Sequence, residues 1–338
     1  MKVCFTYNLP ETRRLDHIIS AELEGRGSFN GITRAQIKRW IMEGRILVDG
    51  RRACKAGQLL KAGARVEIEA PDESNSHLEP YDFPLSILFE DAELLVIDKP
   101  AGLTMHPGAG NKSRTLLNAL LHYFQGRDGF LPEVLSNRLS STYSSKVHPG
   151  IVHRLDRDTS GVVVVAKTRR AHSALSAQFA EHTVKRAYYA LVFSTPRAKR
   201  PVNFQDSGTV IAPLGRHPSR RTEMAVNLQS GRQAATHWKV LERMHYGALV
   251  ELRLETGRTH QVRVHMNHIG SPVIGDKTYG DFSQLPPALK REQQKFGRQA
   301  LHGYLLEFEH PGSGKRLSFM SPMPEDMQKL IAVFRVYE

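Results

Sequence analysis

Residues 153–168, HRLDRDTSGVVVVAKT, decide how this chain is read. Val162, Val163, Val164 and Val165 are β-branched and show no polar alternation, the pattern of a strand covered on both faces of a sheet. Asp156 lies just ahead of that strand between Arg154 and Arg157, so it is expected in a loop at the edge of a buried sheet. Flanking cations favour the anionic form of a carboxylate, which makes Asp156 a candidate nucleophile or base. A lone aspartate in a turn more commonly caps it, here Thr159-Ser160-Gly161, so the reading needs support from elsewhere in the chain.

Composition gives the first support. The 338 residues leave room for roughly two domains. Against 34 Asp and Glu stand 47 Lys and Arg, a formal net charge of +13. With a sequence pI of about 9.8, polyanion binding is the leading expectation. Cys4 and Cys54 are too far apart for a zinc or redox pair and too few for a disulfide framework, which fits a reducing cytoplasm. The amino terminus, MKVCFTYNLPETRRLD, carries no basic start followed by an apolar core. No apolar run approaches the ~18 residues of a membrane span, so a soluble cytoplasmic protein with no membrane partner is expected.

Residues 13–70 read as a small independent module. Thr33-Arg34-Ala35-Gln36 opens an amphipathic helix with Ile37, Trp40 and Ile41 on one face and Arg34, Lys38 and Arg39 on the others. A strand at 45–48 runs into an Asp49-Gly50 turn, and another at 65–68 follows Gly63. The basic helix, the GRILVDG hairpin and the LKAGARVEI closing strand resemble the alpha-L RNA-binding module of the ribosomal protein S-four type. That resemblance implies RNA contacts from Arg34, Lys38 and Arg39.

Residues 71–80, PDESNSHLEP, are polar with turn formers at both ends and read as a linker. The second domain, residues 81–330, opens with strands at 85–90 and 94–98 and a helix at 115–124. A polar, serine-bearing stretch at 125–149 then reads as a loop. Basic loops are expected at 196–200 and 215–221, and the sequence shows no internal repeat.

Three more segments belong with the opening one. LLVIDKPAGLTMHPG, residues 94–108, is a strand ending in a Lys-Pro-Ala-Gly turn, and KRAYYALV, residues 185–192, starts another strand with aromatic residues close to basic ones. GRTHQVRVHMNHIGSPVIGDKTYG, residues 257–280, predicts a helix capped by Thr259 and ended by Gly270, burying Val262, Met266 and Ile269. Together the four segments resemble the RluA family of RNA pseudouridine synthases, whose hallmark is HRLD-x-x-[ST]-[ST]-G. The similarity extends over about residues 85–324 and includes LLNALLHY (116–123), LGRHPSRRTEMAV (214–226) and RQALHGYLLEFEHP (298–311). The 125–149 stretch and SFNG at 28–31 are longer than family members usually carry.

The resemblance implies an α+β fold, a large mixed and mostly antiparallel sheet with flanking helices behind the small αβ RNA-binding domain. It also implies isomerisation of specific uridines to pseudouridine in large-subunit ribosomal RNA or its precursor, with another structured RNA such as tRNA the alternative target. Breaking an N-glycosidic bond, turning the held base and closing a carbon–carbon bond need neither redox chemistry nor a metal, so no cofactor is expected, and a monomer suffices. By the same resemblance Asp156 is the essential carboxylate, as nucleophile or as base. Arg263 is the cation paired with it, and Tyr188 stacks on the target base. Arg154 enters the gap left by the flipped nucleotide, Leu301 lines the pocket, and His153 is counted with the RNA-facing residues.

Other readings compete. Tyr189 is the neighbour that would take the role of Tyr188, and Lys99 and His106 sit where a turn lines the cleft. His260, His265 and His268 together suggest a metal site, the last two at helical i, i+3 spacing, yet no carboxylate or third ligand follows at metal-site spacing. An RNA-binding assembly factor without chemistry, or a metal-dependent hydrolase built on His153 and Asp156, are the alternatives of other classes.

Overall fold

The computed structural model describes residues 2–23, 34–70, 78–108, 110–125, 150–194, 202, 205–220 and 222–337. Most of the expected linker (71–77) and long polar loop (126–149), the SFNG stretch and the basic loop at 196–200 lie outside the described residues. The chain divides into two compact units, with the boundary between Glu79 and Pro80.

The small unit comprises β1 (Lys2–Thr6), β2 (Arg13–Arg14), α1 (Leu15–Leu23), α2 (Arg34–Met42), β3 (Ile46–Val48), β4 (Arg51–Arg52), β5 (Leu59–Leu60) and β6 (Arg65–Glu69). Its main sheet runs β1-β6-β3-β4. Strand β1 lies ahead of the boundary expected at Arg13 and pairs with β6 from Lys2↔Glu69 to Thr6↔Arg65. Ile37, Trp40 and Ile41 of α2 do face the core, where they join Leu15 and Ile19 of α1 and Ile46, Val66 and Ile68 of the sheet. Asp49 and Gly50 both take positive φ, 50° and 75°, as a two-residue hairpin turn between right-twisted strands demands.

One buried carboxylate organises the basic face of this unit. Asp16 accepts from Arg14 Nε and Nη2 at 3.0 and 3.1 Å and from Arg34 Nη2 at 2.9 Å. The Arg14 guanidinium, with Arg34 beside it, holds that carboxyl down to about 2. Both arginine side chains stay half exposed, Lys38 is exposed, and Arg39 pairs with Glu43 at 2.7 Å.

The large unit is built on a sheet that runs β11 (Ser207–Ile211), β14 (Ala235–Met244), β15 (Gly247–Leu254), β10 (Lys185–Phe193), β16 (Leu301–Glu309), β9 (Ser160–Ala166), β8 (Leu94–Lys99), β7 (Ser86–Glu90), with β17 (Arg316–Met320) also on β16. A hairpin of β12 (Leu214–Arg216) and β13 (Met224–Val226) occupies the expected basic loop. The helices are α3 (Leu116–Gln125), α4 (Arg169–Ala180), α5 (Gln261–His268), α6 (Pro287–Phe296) and α7 (Glu325–Val336). The last buries Met327, Leu330, Ile331 and Phe334, so the unit extends past residue 330.

Strand β9 is the valine run, and all seven of its residues are buried. Val162 and Val164 pack with Leu94 and Val96 of β8, Ala171 and Leu175 of α4, and Phe308 of β16. Each valine, leucine or phenylalanine among them contributes roughly 1.5–3 kcal/mol by leaving water. β9 pairs antiparallel with β8 and parallel with β16 through His302↔Ser160 and Gly303↔Gly161. Farther along, its second edge is taken by residues 150–153: Ala166 N–H donates to Gly150 O at 2.7 Å and Val164 N–H to His153 Nε2 at 3.0 Å. Thr168 ends the motif by capping α4, its hydroxyl accepting from Ala171 N–H at 3.1 Å.

Candidate active site

The turn before β9 is closed by the main chain, with Thr159 N–H donating to the Asp156 carbonyl at 3.1 Å. The Asp156 carboxylate points instead to α5, where Arg263 Nη1 donates to its Oδ2 at 3.1 Å across 107 residues of sequence. The flanking arginines expected to hold it turn elsewhere. Arg157 faces Asp158 and the Gly102 carbonyl, and Arg154 is exposed. Arg157 lies in the turn that follows Asp156, so adjacency in sequence did not make an ion pair there.

Arg263 is not the solvated helix residue its position in an amphipathic helix would suggest. Its side chain is 7% exposed, and its other edge is gripped by fully buried Asp276, through Nε to Oδ2 at 2.7 Å and Nη2 to Oδ1 at 2.8 Å. The Asp276 Oδ1 also accepts from Thr278 and Tyr279 N–H. The Tyr279 ring lies 5.0 Å from the guanidinium carbon. These partners outweigh the desolvation of Arg263 and push its pKa further above the usual arginine value. A guanidinium fixed on one side by a bidentate carboxylate can aim its remaining N–H at Asp156 with little freedom to turn.

Helix α5 is itself locked. Gln261 Nε2 donates to Ala235 O and Thr236 Oγ1 at 2.9 and 3.0 Å, and its Oε1 accepts from Arg258 N–H and the Thr256 hydroxyl. His265 bonds Thr236 Oγ1 and the Ala212 carbonyl at 2.9 and 3.0 Å. That histidine is part of the scaffold, and no group of three or more metal-ligating side chains is placed to hold an ion among the described residues. The expected Thr259 cap is replaced by His260, which takes the left-handed conformation (φ 56°, ψ 20°). Gly270 does end the helix, at φ 76°, but residues 261–266 are all buried, a wider face than the stripe of Val262, Met266 and Ile269.

The Asp156 loop is held from below by Lys99, the last residue of β8. Its buried ammonium donates to the carbonyls of Pro100, Leu103 and Arg157 at 2.8, 3.0 and 3.1 Å, which ties the Lys-Pro-Ala-Gly turn to the residue after Asp156. Burial pulls its pKa down to about 7. The 298–303 segment holds the other side: Arg298 is clasped by Asp326 of α7 at 2.8 and 2.9 Å, and Gln299 Nε2 donates to Thr159 Oγ1 at 3.1 Å.

Tyr188 is buried on β10, where a Cβ added to Gly303 would lie 3.1 Å from its ring and 3.7 Å from the Leu155 side chain. Burial raises its pKa and so keeps it a neutral phenol. Tyr189 lies on the opposite face, stacked on Tyr304 at 4.0 Å between ring centres. Leu301 is buried at the start of β16, next to the β9 junction. His153, counted with the RNA-facing residues, is turned into the fold. Its Nε2 accepts from Val164, its ring stacks on Phe179 at 4.7 Å, and burial, reinforced by the charge of Arg186, lowers its pKa to about 3.

Residues 93–268 match the family model described as RNA pseudouridylate synthase, and residues 28–66 match the S4 domain. A ribosomal large subunit pseudouridine synthase D from Xanthomonas campestris pv. campestris is 42% identical over 327 residues, covering 96% of this chain and 89% of that relative. The chain belongs to the RNA pseudouridylate synthase family. A second relative, also named ribosomal large subunit pseudouridine synthase D, from Escherichia coli (strain K12), is 40% identical over 311 residues, covering 91% of this chain and 88% of its own. Among solved structures, human RNA pseudouridylate synthase domain containing 4 matches at a TM-score of 0.55 and 23% identity over 75% of this chain and 94% of its own. Human RNA pseudouridylate synthase domain containing 1 matches at 0.52 and 22%, over 80% and 98%. At these identities the two structures speak to the fold alone.

The synthase thus brings Asp156 and Arg263 into contact, as its sequence motifs implied, and separates His153 from them. Sequence reasoning missed Asp276, His260 and Tyr279 as parts of the site. A signal existed for the first: an arginine buried beside one carboxylate needs a second acceptor, and GDKTYG supplies an aspartate in a turn rich in backbone donors. Nothing in the residue pattern marked the left-handed backbone at His260.

Proposed function

We propose that this synthase isomerises specific uridines of the large-subunit ribosomal RNA, with Asp156 as the essential carboxylate. The observation that carries the reading is the half-buried Asp156 carboxylate, bonded through one oxygen to an arginine that a second, buried aspartate immobilises. Its other oxygen, Oδ1, faces His260. Such a group is aimed and available to a nucleotide, whether it attacks the sugar or base or removes a ribose proton. Tyr188, neutral and buried, supplies an aromatic face for the extruded base, and Leu301 an apolar wall. Arg154, exposed two residues ahead, fills the vacated place in the RNA stack. The charge of +13 and the arginines and lysine of the small unit, Arg34, Lys38 and Arg39, supply phosphate contacts. The names of the similar relatives support the large ribosomal subunit as target.

Among the described residues no helix is long and apolar enough to cross a membrane. We read the protein as a cytoplasmic monomer that works without a cofactor. Two measurements test the function. Mapping pseudouridine in ribosomal RNA from cells with and without the gene should show loss at defined large-subunit positions. Asp156→Asn, nearly isosteric, should bind the RNA like wild type and form no pseudouridine, whereas turnover above a few per cent of wild type would remove Asp156 from the role.

A further inference from the structure

His260 stands closer to Asp156 than its place outside the expected site suggested. Its Nε2 lies 3.9 Å from Asp156 Oδ1, the oxygen that Arg263 does not hold. Its Nδ1 lies 2.7 Å from the Tyr279 hydroxyl oxygen, which already accepts from Met224 N–H at 2.9 Å. We assign the phenolic O–H as the donor to Nδ1, which places the proton of the neutral imidazole on Nε2. Burial lowers the pKa of His260 and keeps the ring neutral, despite the opposing charge of Asp156. The left-handed backbone at His260 is disfavoured for a residue with a side chain, and its effect is to present a neutral N–H donor beside a carboxylate oxygen.

A separation of 3.9 Å is too long for a hydrogen bond and leaves room for one oxygen atom, at about 2.8 Å from each group. That atom must accept from Nε2–H and donate to Oδ1. Within an internal RNA nucleotide the base N3–H only donates, the base carbonyls, ether oxygens and phosphate oxygens only accept, and the 2′-hydroxyl alone does both. Chemistry by Asp156 at the glycosidic end of the nucleotide brings the 2′-hydroxyl, not the N3 edge, to this place. We propose that His260 Nε2 and Asp156 Oδ1 together clasp the 2′-hydroxyl of the target uridine, so that the site selects ribose over deoxyribose at the reacting residue. The proposal rests on the reading of Asp156 given above, with His260 as a specificity-determining residue.

The test is a cycle of initial rates. Full-length wild-type protein and His260→Asn are each given a transcript of the mapped ribosomal RNA segment, with uridine or with 2′-deoxyuridine at the target position. Asparagine tolerates the left-handed backbone but is too short to reach. If the clasp exists, His260→Asn slows the uridine substrate roughly tenfold and then loses less than about twofold more on removal of the 2′-hydroxyl, while the wild type loses roughly tenfold on that removal. An equal fold-loss in both enzymes overturns it. Tyr279→Phe, which leaves the His260 backbone alone and frees its ring to reorient, should weaken the same coupling and serves if His260→Asn does not fold; undiminished coupling in it counts against the tautomer and hence the clasp. An active Asp156→Asn overturns the carboxylate assignment, whereas equal deoxy losses beside an inactive Asp156→Asn overturn the clasp alone.

Discussion

Gly161 and Gly303 meet across the parallel junction of β9 and β16 so closely that a Cβ on Gly161 would stand 2.1 Å from the Gly303 carbonyl oxygen. Gly161 also has φ 132°, a conformation that side chains disfavour. The glycine that closes the HRLDRDTSG motif therefore joins the Asp156 loop to the strand of Leu301, and Gly303 in turn seats the ring of Tyr188.

Gly161→Ala should destabilise the large unit by about 2–4 kcal/mol, because backbone must move and φ is unfavourable. Gly303→Ala should cost less, since the tyrosine ring it meets at 3.1 Å can shift by tenths of an ångström. Urea unfolding of both variants checks this; a Gly161→Ala protein as stable as wild type would show that the junction opens freely.

Asp276→Asn should be more damaging to turnover than its distance from solvent suggests. Neutralising one partner of a buried pair costs about 3–5 kcal/mol, and Arg263 would redistribute its hydrogen bonds toward Asp156. Single-turnover rates should fall while RNA affinity changes little. A variant with wild-type rate would mean that Asp156 is aimed without help from this pair.

Much of the architecture was legible in local pattern. The valine run predicted a doubly covered strand, and Ile37, Trp40 and Ile41 predicted the buried face of α2, because periodicity reports burial directly. The site was legible only through motif resemblance, since Asp156 and Arg263 are joined by topology across 107 residues. Side-chain direction escaped both. Arg154 and Arg157 flank Asp156 in sequence and leave it to Arg263, His153 turns inward to finish the edge of β9, and Thr259 yields the helix start to His260. Each depends on backbone angles that residue types alone do not fix.

Lys99 gives a signature in pH. Its pKa is near 7 in the fold and near 10.5 in the free side chain, so between these values the unfolded chain binds more protons and stability rises with pH. Subtracting the unfolding free energy of Lys99→Met from that of wild type, from pH 6 to 10, should give a difference that is flat below pH 7 and climbs above it. A flat difference throughout would show that the three carbonyls fully offset the burial of the ammonium.

Arg154→Ala should slow a structured stem-loop far more than an RNA whose target uridine is already unstacked beside an abasic site. Extrusion costs a few kcal/mol, and losing ~2 kcal/mol of support slows reaction roughly thirty-fold. Equal losses on the two substrates would place Arg154 within the site, bonded to an acid there, and not in the RNA stack.

In the small unit, Asp16 fixes Arg14 and Arg34 while leaving both guanidinium groups in contact with solvent. A long cationic side chain gives up about 1.5–2 kcal/mol of rotamer entropy when it is immobilised, and here much of that loss occurs as the unit folds, before any phosphate arrives. A phosphate that associated through these two arginines would meet a smaller ordering penalty than one bound through free ones. A carboxylate that lowers the net positive charge of this face by one can in this way strengthen its grip on a polyanion.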